Sequence, residues 1–104
     1  KVNRTLHWFE ENIGRSPSVA DAARAVGVST AHLRRLFAQA GAPAPKSELA
    51  RLQIEAAQRA LVEGWSQKEI AEFLGFSEPS TFARAFKEIC GKPPGLWLKD
   101  NMVQ

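Results

Sequence analysis

The sequence repeats itself once, and this repeat constrains the fold more than any other feature. Four residues recur 48 positions later with the same identity: Ser18, Ala23, Gly27 and Ser29 match Ser66, Ala71, Gly75 and Ser77. After one inserted residue the spacing becomes 49, which adds two pairs: Arg35 with Arg84, and Phe37 with Phe86. The chain is therefore predicted to contain a duplicated unit of helix, glycine turn and helix.

Apolar residues at helical spacing divide the first half into three helices. The first is predicted over 2–13, with Gly14 as its stop. The second follows Ser18, which forms with Asp21 the S-x-x-D pattern of a capping box. Ser29 is expected to cap the third helix, whose apolar stripe is Leu33, Leu36, Phe37 and Ala40.

The second half repeats this order after a linker. A stretch rich in Pro and Ala at 41–45 precedes a long helix, predicted over about 47–62. Ser66 and Glu69 form a second capping box. The last strong helix is predicted over about 79–89, with the apolar stripe Phe82, Ala85, Phe86 and Ile89.

No segment shows the alternation of a strand, so the predicted fold class is all-α, with about seven helices including a short turn near 96–99. A chain of 104 residues is too short for two separately cored domains of ordinary size. We expect one domain in three parts. These parts are a first helix-turn-helix subdomain (1–45), a linker helix (46–63) and a second helix-turn-helix subdomain (64–104).

Composition narrows the possible functions. A net charge of +3 suits a polyanionic partner without demonstrating one. No segment is long and apolar enough for a membrane span, so no membrane partner is expected. His7, His32 and Cys90 form no metal-ligand pattern, and nothing indicates a nucleophile with its base, paired carboxylates or a phosphate-cradling loop. We therefore expect no metal, no cofactor and no enzymatic activity.

The cysteine content and the first residue bear on the protein's setting. A single cysteine cannot form an intramolecular disulfide, which favours a reducing cytoplasm. Because the chain begins with Lys and no leader precedes the first amphipathic segment, we expect it to be part of a longer protein.

Two helices joined by a short turn containing glycine form the helix-turn-helix, whose second helix can enter the major groove of DNA. The alternative is a plain helical bundle that uses glycine turns. Two copies with matching caps, turns and arginines favour the helix-turn-helix, with recognition helices at about 29–40 and 79–89.

The second half carries an ordered set of residues: Ile70, Ala71, Gly75, Phe76, Ser77, Ser80, Phe82, Arg84, Ala85, Phe86, Lys87, Gly91 and Pro94. This set resembles the signature of the AraC family (AraC/XylS) of bacterial transcription regulators. The first half is similar to that family's first unit at Ala23, Gly27, Leu33, Arg35, Phe37 and Gly41. Ala44 and Ser47 depart from the family, which usually has Pro and Tyr there, so the linker is expected to enter its helix at a different angle.

The resemblance covers nearly the whole chain. It implies two helix-turn-helix subdomains joined by a long helix and, as partner, double-stranded DNA. It also implies an effector-binding or dimerisation domain N-terminal to this one in the full-length protein. RNA polymerase is a further partner that it allows, and the expected location is the bacterial cytoplasm, on the nucleoid.

Helical geometry selects the side of each recognition helix that faces away from the apolar stripe. On the first helix this side carries Ala31 and Arg35, flanked by Arg34, and on the second it carries Ser80, Arg84 and Lys87. The resemblance implies base contacts at six positions, five of these and Pro79: Ala31, Arg34, Arg35, Pro79, Ser80 and Arg84. For the arginines, the alternatives are a solvated helix face or pairing with a neighbouring helix.

Helix N-termini favour anions, so phosphate contacts are expected there. The candidates are Ser18, Ser29, Ser66 and Ser77, with Lys68, Thr81 and Lys87 nearby. The alternatives are that each serine only caps its own helix and that the lysines are solvated. Glu78 is expected to oppose phosphate; the alternatives are that its carboxylate favours the helix dipole or that it accepts a hydrogen bond from a cytosine amine.

The large aromatic side chains are interpreted as packing groups rather than as a platform for stacked bases: Trp8, Phe9, Phe37, Phe73, Phe76, Phe82, Phe86 and Trp97. The leading hypothesis is sequence-specific binding of double-stranded DNA, with two recognition helices entering successive major-groove segments. The alternative is a helical protein–protein interaction module, but outward arginines with little outward apolar surface argue against it.

Overall fold

The computed structural model describes residues 1–102, and all regular secondary structure in that range is helical. Seven α-helices and one 3-10 turn follow in order: α1 (Val2–Glu11), the 3-10 turn (Ile13–Arg15), α2 (Val19–Ala25), α3 (Thr30–Gln39), α4 (Pro45–Val62), α5 (Gln67–Leu74), α6 (Pro79–Cys90) and α7 (Pro94–Met102). The predicted all-α class is confirmed. In this part of the chain, no helix combines the length and apolar character that crossing a membrane requires.

The chain forms two compact units, and the boundary between them falls inside α4. Unit 1 comprises Lys1–Leu52 and unit 2 comprises Gln53–Gln104. Each unit contains one copy of the sequence repeat, as α2 and α3 in unit 1 and as α5 and α6 in unit 2.

Unit 1 is organised around α2, whose consecutive alanines face two apolar clusters. Ala22 packs in a cluster with Phe9 of α1 and with Leu49 and Leu52 of α4. Ala23 packs in the other cluster with Val26 and with two fully buried residues of α3, Leu33 and Phe37. Because alanine has a short side chain, α2 can approach both neighbours closely. Burying one large apolar side chain contributes roughly 1.5–3 kcal/mol.

Unit 2 has an aromatic core. Phe82 and Phe86 of α6 are fully buried, and their ring centroids lie 5.9 Å apart. Phe76, in the turn before α6, lies 5.8 Å from Phe82, and Trp97 of α7 lies 5.7 Å from Phe86. Tilted and edge-on ring pairs of this kind add about 0.5–1.5 kcal/mol each beyond their buried area. This row of rings connects the turn, α6 and α7.

Both predicted capping boxes are confirmed. The Asp21 backbone N–H donates to Ser18 Oγ (3.0 Å), and the Ser18 backbone N–H donates to Asp21 Oδ2 (3.3 Å). In the second copy, the Glu69 N–H donates to Ser66 Oγ (3.1 Å) and the Ser66 N–H donates to Glu69 Oε1 (2.8 Å). Each box satisfies backbone donors that have no partner within the helix, so it sets where the helix begins.

The glycine of each turn lies in the left-handed region of backbone space. Gly27 has φ +78° and Gly75 has φ +85°, at equivalent places after α2 and α5. A side chain at such a φ is strained, so the repeated glycine permits the sharp turn between the two helices.

Helix boundaries differ from the predictions at three places. The first helix ends at Glu11, and the chain continues as a 3-10 turn instead of remaining α-helical to residue 13. α4 begins at Pro45, because the fixed φ of proline suits a first helical position and the ring is fully buried there. The segment predicted as a short turn near 96–99 is a nine-residue helix, α7, which carries Trp97 against Phe86.

Three residues predicted to pack in the core are exposed. Ala40 is the C-cap residue of α3, beyond the last full turn of its apolar stripe. Ile89 lies near the end of α6 and is 44% exposed. Phe73 is 42% exposed, although its ring contacts Trp65 edge-on with centroids 5.5 Å apart.

We expect Ser66→Ala to lower the free energy of unfolding by about 1 kcal/mol, because the substitution leaves the N–H of Glu69 without its acceptor. Ser77→Ala is the matched control. Ser77 is an exposed serine in the turn before α6 and does not cap that helix, so its loss is expected to change stability by less than about 0.5 kcal/mol. Urea denaturation of both variants tests this, and equal effects would contradict the assigned cap.

Candidate nucleic-acid interface

The outward face of α3 is determined by the two residues that α3 buries completely. Leu33 and Phe37 point into unit 1, and Arg35 lies midway between them in sequence, about 200° around the helix from each. Arg35 is exposed, as are Ala31 and Arg34. The packing of unit 1 therefore presents two guanidinium groups and one small side chain to solvent on a single helix.

α6 has the same construction in unit 2. Phe82 and Phe86 are fully buried, and Arg84 lies midway between them and is exposed. Ser80 and Lys87 are exposed on the same helix, together with Pro79 and Thr81 near its start. The pair Arg35 and Arg84, predicted to be equivalent from the repeat, thus occupies equivalent places on the two helices.

The arginines differ in their surroundings. Within residues 1–102, the side chains of Arg34 and Arg84 form no hydrogen bond or ion pair with protein groups, so neither is paired with a neighbouring helix. Arg35 has one contact: its Nη2 lies 3.4 Å from Nδ1 of the half-buried His32. The sequence predicts His32 to be a boundary residue with a local hydrogen bond but does not name its partner; the structure places Arg35 there, since a spacing of three residues makes two side chains neighbours on a helix.

The N-terminus of α6 departs from the predicted repeat. Ser77 was expected to cap this helix, but the N-cap residue is Glu78 and its side chain makes no capping hydrogen bond. The extra residue of the second copy lies before the N-cap of α6. The residue equivalent to Ser29, the N-cap of α3, is therefore Glu78, which lies 49 positions later in the sequence. Ser77 therefore lies in the turn, exposed, and a phosphate contact from it stays a prediction.

Carboxylates stand at the N-termini of three of the four repeat helices. Asp21 lies in the first turn of α2, Glu69 in the first turn of α5, and Glu78 at the N-cap of α6. The first turn of α3 contains no acidic residue, and its N-cap Ser29 accepts a hydrogen bond from the N–H of His32 (3.0 Å). At the N-termini of α2, α5 and α6, a carboxylate already interacts with the positive end of the helix dipole. Of these four helices, α3 therefore has the N-terminus most favourable to a phosphate.

The structure places every predicted DNA-contacting residue on the surface. In unit 1 these residues lie at the start of α2 and along α3, and in unit 2 they lie at the start of α5, in the turn and along α6. All of the following are exposed: Ser18, Ser29, Ala31, Arg34, Arg35, Ser66, Lys68, Ser77, Pro79, Ser80, Thr81, Arg84 and Lys87.

Comparison with known proteins identifies this arrangement. A family model described as a helix-turn-helix domain matches residues 22–100. Over 99 residues the chain is 37% identical to a putative AraC-like transcription regulator of Streptomyces lividans, a match that covers 94% of this chain and 33% of that protein. The chain belongs to the AraC family. It is an AraC-type helix-turn-helix domain of a transcription regulator, and this family membership implies that it binds DNA.

Two further likenesses agree with the AraC assignment. The transcriptional activator NphR of Rhodococcus is 32% identical over 102 residues, which cover 96% of this chain and 30% of NphR. A crystal structure of a transcriptional regulator from Chromobacterium violaceum, a protein with an AraC-type DNA-binding domain, superposes with a TM-score of 0.88 at 25% identity, and the match covers 97% of this chain and 91% of that one. The chain spans about one third of the length of its curated relatives.

In the described part of the chain, no group of three His, Cys, Asp or Glu side chains is placed to hold a metal ion. Cys90 is half-buried, and its Sγ accepts from Nε2 of Gln58 (3.2 Å). Burial raises the pKa of the Cys90 thiol, against a smaller opposite effect of the Gln58 hydrogen bond, so the unreactive thiol form is favoured.

We expect a Glu69 carboxyl pKa below the ordinary glutamate value of 4.5, because the backbone N–H and then the hydroxyl of Ser66 stabilise the carboxylate. A lowered pKa means that this stabilisation is fully present above pH 4.5 and is lost as the pH falls through the folded value. An NMR titration of the Glu69 side chain measures this pKa directly.

In the same titration, Ser66→Ala is expected to raise the Glu69 pKa part of the way back, since the variant keeps the backbone N–H and loses only the hydroxyl. Ser77→Ala is expected to leave it unchanged. An unshifted Glu69 in the parent chain would show that the capping box does not persist in solution.

Proposed function

We propose that this AraC-type domain binds double-stranded DNA sequence-specifically, with α3 and α6 each entering one major-groove segment. One observation carries the proposal: in both copies of the repeat, an exposed arginine lies opposite two fully buried apolar residues of the second helix. The helix-turn-helix presents its second helix to the groove, so Arg35 and Arg84 stand where base edges are read.

The chemistry of these faces matches direct readout. A guanidinium forms two parallel hydrogen bonds to O6 and N7 of guanine, which makes Arg34, Arg35 and Arg84 candidates for guanine contacts. Ala31 is small enough to accommodate a thymine methyl group. Pro79 and Ser80, in the first turn of α6, complete the proposed base-contacting set.

Phosphate contacts are proposed to position each helix on the duplex. The N-terminus of α3, capped by Ser29 and free of acidic groups in its first turn, is the most favourable end for a phosphate. Lys68, Thr81 and Lys87 supply exposed donors in unit 2. Contacts from Ser18, Ser66 and Ser77 belong to the same proposal, although at Ser18 and Ser66 the hydroxyl already accepts from its own helix.

The wider organisation follows from the family. We assign 1–45 and 64–104 as the two DNA-binding subdomains and 46–63 as the helix that links them. Because the curated relatives are about three times as long, an N-terminal effector-binding or dimerisation domain is proposed for the full-length regulator. RNA polymerase is proposed as a second partner, in the bacterial cytoplasm on the nucleoid.

We expect Arg35→Ala and Arg84→Ala to relax base preference in different parts of the binding site, each at a cost of about 1–3 kcal/mol in specific affinity. Selection of bound duplexes from a randomised library, at near-physiological salt, tests both variants beside the parent chain. The parent is expected to select two boxes about ten base pairs apart.

Arg59→Ala is the matched control for that selection, because Arg59 is an exposed arginine of α4 outside the proposed interface. It is expected to select the same two boxes as the parent. A parent that enriches no motif, or two arginine variants that relax the same box, would overturn the two-helix proposal.

Salt dependence separates DNA binding from the alternative, a helical protein-interaction module. Neutralising phosphates releases counterions, so affinity for the duplex is expected to fall by about 0.9 log units per log unit of salt for each phosphate contacted. Fluorescence anisotropy at several salt concentrations measures the slope, and Lys87→Ala should reduce it by about one unit. A flat salt dependence with no preference for duplex would favour the protein-interaction module.

A further inference from the structure

The two recognition helices differ at one position next to their equivalent arginines. In α3, His32 precedes Arg35 by three residues, and its Nδ1 lies 3.4 Å from Arg35 Nη2. In α6, the corresponding residue is Thr81, and among residues 1–102 the Arg84 side chain has no hydrogen-bond partner. The repeat therefore supplies one arginine that a neighbour can orient and one that none orients.

The chemistry of the contact fixes the roles of its two groups. Because Arg35 keeps its charge in proteins and can only donate, the contact is a hydrogen bond in the His32 tautomer that has its ring proton on Nε2 and leaves Nδ1 free to accept. A guanidinium has five N–H donors. When one N–H of Nη2 donates a hydrogen bond to His32, the remaining N–H groups still include two parallel donors for O6 and N7 of guanine.

The position of His32 is itself restrained by the fold. Its backbone N–H donates to the N-cap Ser29 (3.0 Å), which places it in the first turn of α3, and its ring is half-buried. The Arg35 side chain is otherwise exposed and free to adopt many rotamers. A restrained acceptor beside it reduces the conformational entropy that is lost when the guanidinium is fixed against a base.

We propose that His32 is a positioning residue, which holds the Arg35 guanidinium in the orientation that discriminates guanine in the box contacted by α3. The inference rests on the proposed function and adds the residue that sets specificity at one base pair. In the described part of the chain Arg84 has no such neighbour, so the second box is read by a guanidinium that is not oriented in advance.

The test compares His32→Phe, which keeps a planar ring and removes the acceptor, with His32→Asn, whose Oδ1 can stand in for Nδ1. Affinities are measured on duplexes in which the base pair identified by Arg35→Ala is either G·C or one of the other three pairs. We expect His32→Phe to reduce the preference for guanine by about three- to tenfold. His32→Asn is expected to retain most of that preference.

A double-mutant cycle separates positioning from a general structural role. If His32 acts through Arg35, His32→Phe has no further effect on base preference in the Arg35→Ala background. The matched controls are His7→Phe and His7→Asn, the same exchanges at an exposed histidine of α1 that pairs with Glu11, and they are expected to leave base preference unchanged. Thermal unfolding of each variant confirms that the fold is retained.

The outcomes are distinguishable. Two boxes in the parent, with guanine preference unchanged in His32→Phe, would overturn the role of His32 and leave the proposed function standing. An equal loss in His32→Phe and His32→Asn, or a loss that persists in the Arg35→Ala background, would also overturn it. A parent that selects no motif would overturn the proposed function and this inference with it.

Discussion

The burial of two equivalent phenylalanines, Phe37 in α3 and Phe86 in α6, is the constraint on which the functional surface depends. Each is fully buried in the core of its own unit, and each holds one side of its helix against the rest of that unit. Because an α-helix turns about 100° per residue, fixing the buried side also fixes the outward side, where Arg35 and Arg84 lie. The surface proposed to read DNA is thus a consequence of core packing.

The two copies of this unit are equivalent in their cores and different at their helix ends. The N-cap residue of α3 is a serine that caps the helix, and the first turn of α3 has no acid, whereas the N-cap residue of α6 is Glu78, which makes no capping bond and brings a negative charge. Arg35 has a histidine neighbour, whereas Arg84 has no hydrogen-bond partner within residues 1–102. Electrostatics and side-chain order therefore favour tighter phosphate contact and sharper base discrimination at α3, so the two boxes are expected to differ in stringency.

Much of this architecture could be predicted from the sequence, because its signals are local. The Ser18–Asp21 and Ser66–Glu69 spacings correctly gave both capping boxes, and the apolar stripes placed Phe37 and Phe86 inside. The errors arose where tertiary context decides. Periodicity alone does not show where a partner helix stops covering a stripe, so Ala40 and Ile89 were assigned to the core and are exposed.

Other features depend on register and packing that single residues do not reveal. The place of the one-residue insertion was misjudged, which assigned the α6 cap to Ser77 in place of Glu78. α7 has little amphipathic periodicity, so its nine residues were predicted only as a short turn. The contact between His32 and Arg35 depends on the rotamers of two side chains, and the spacing alone does not fix them.

We propose that each unit reads its own box of one DNA site. The decisive measurement is a titration of the chain, at constant salt, with duplexes that carry both selected boxes, either box beside scrambled sequence, or both boxes with five extra base pairs between them. The intact two-box duplex is expected to bind at least about tenfold more tightly than either single-box duplex, and the half-turn insertion is expected to remove this gain. Equal affinity for one box and for two would contradict it.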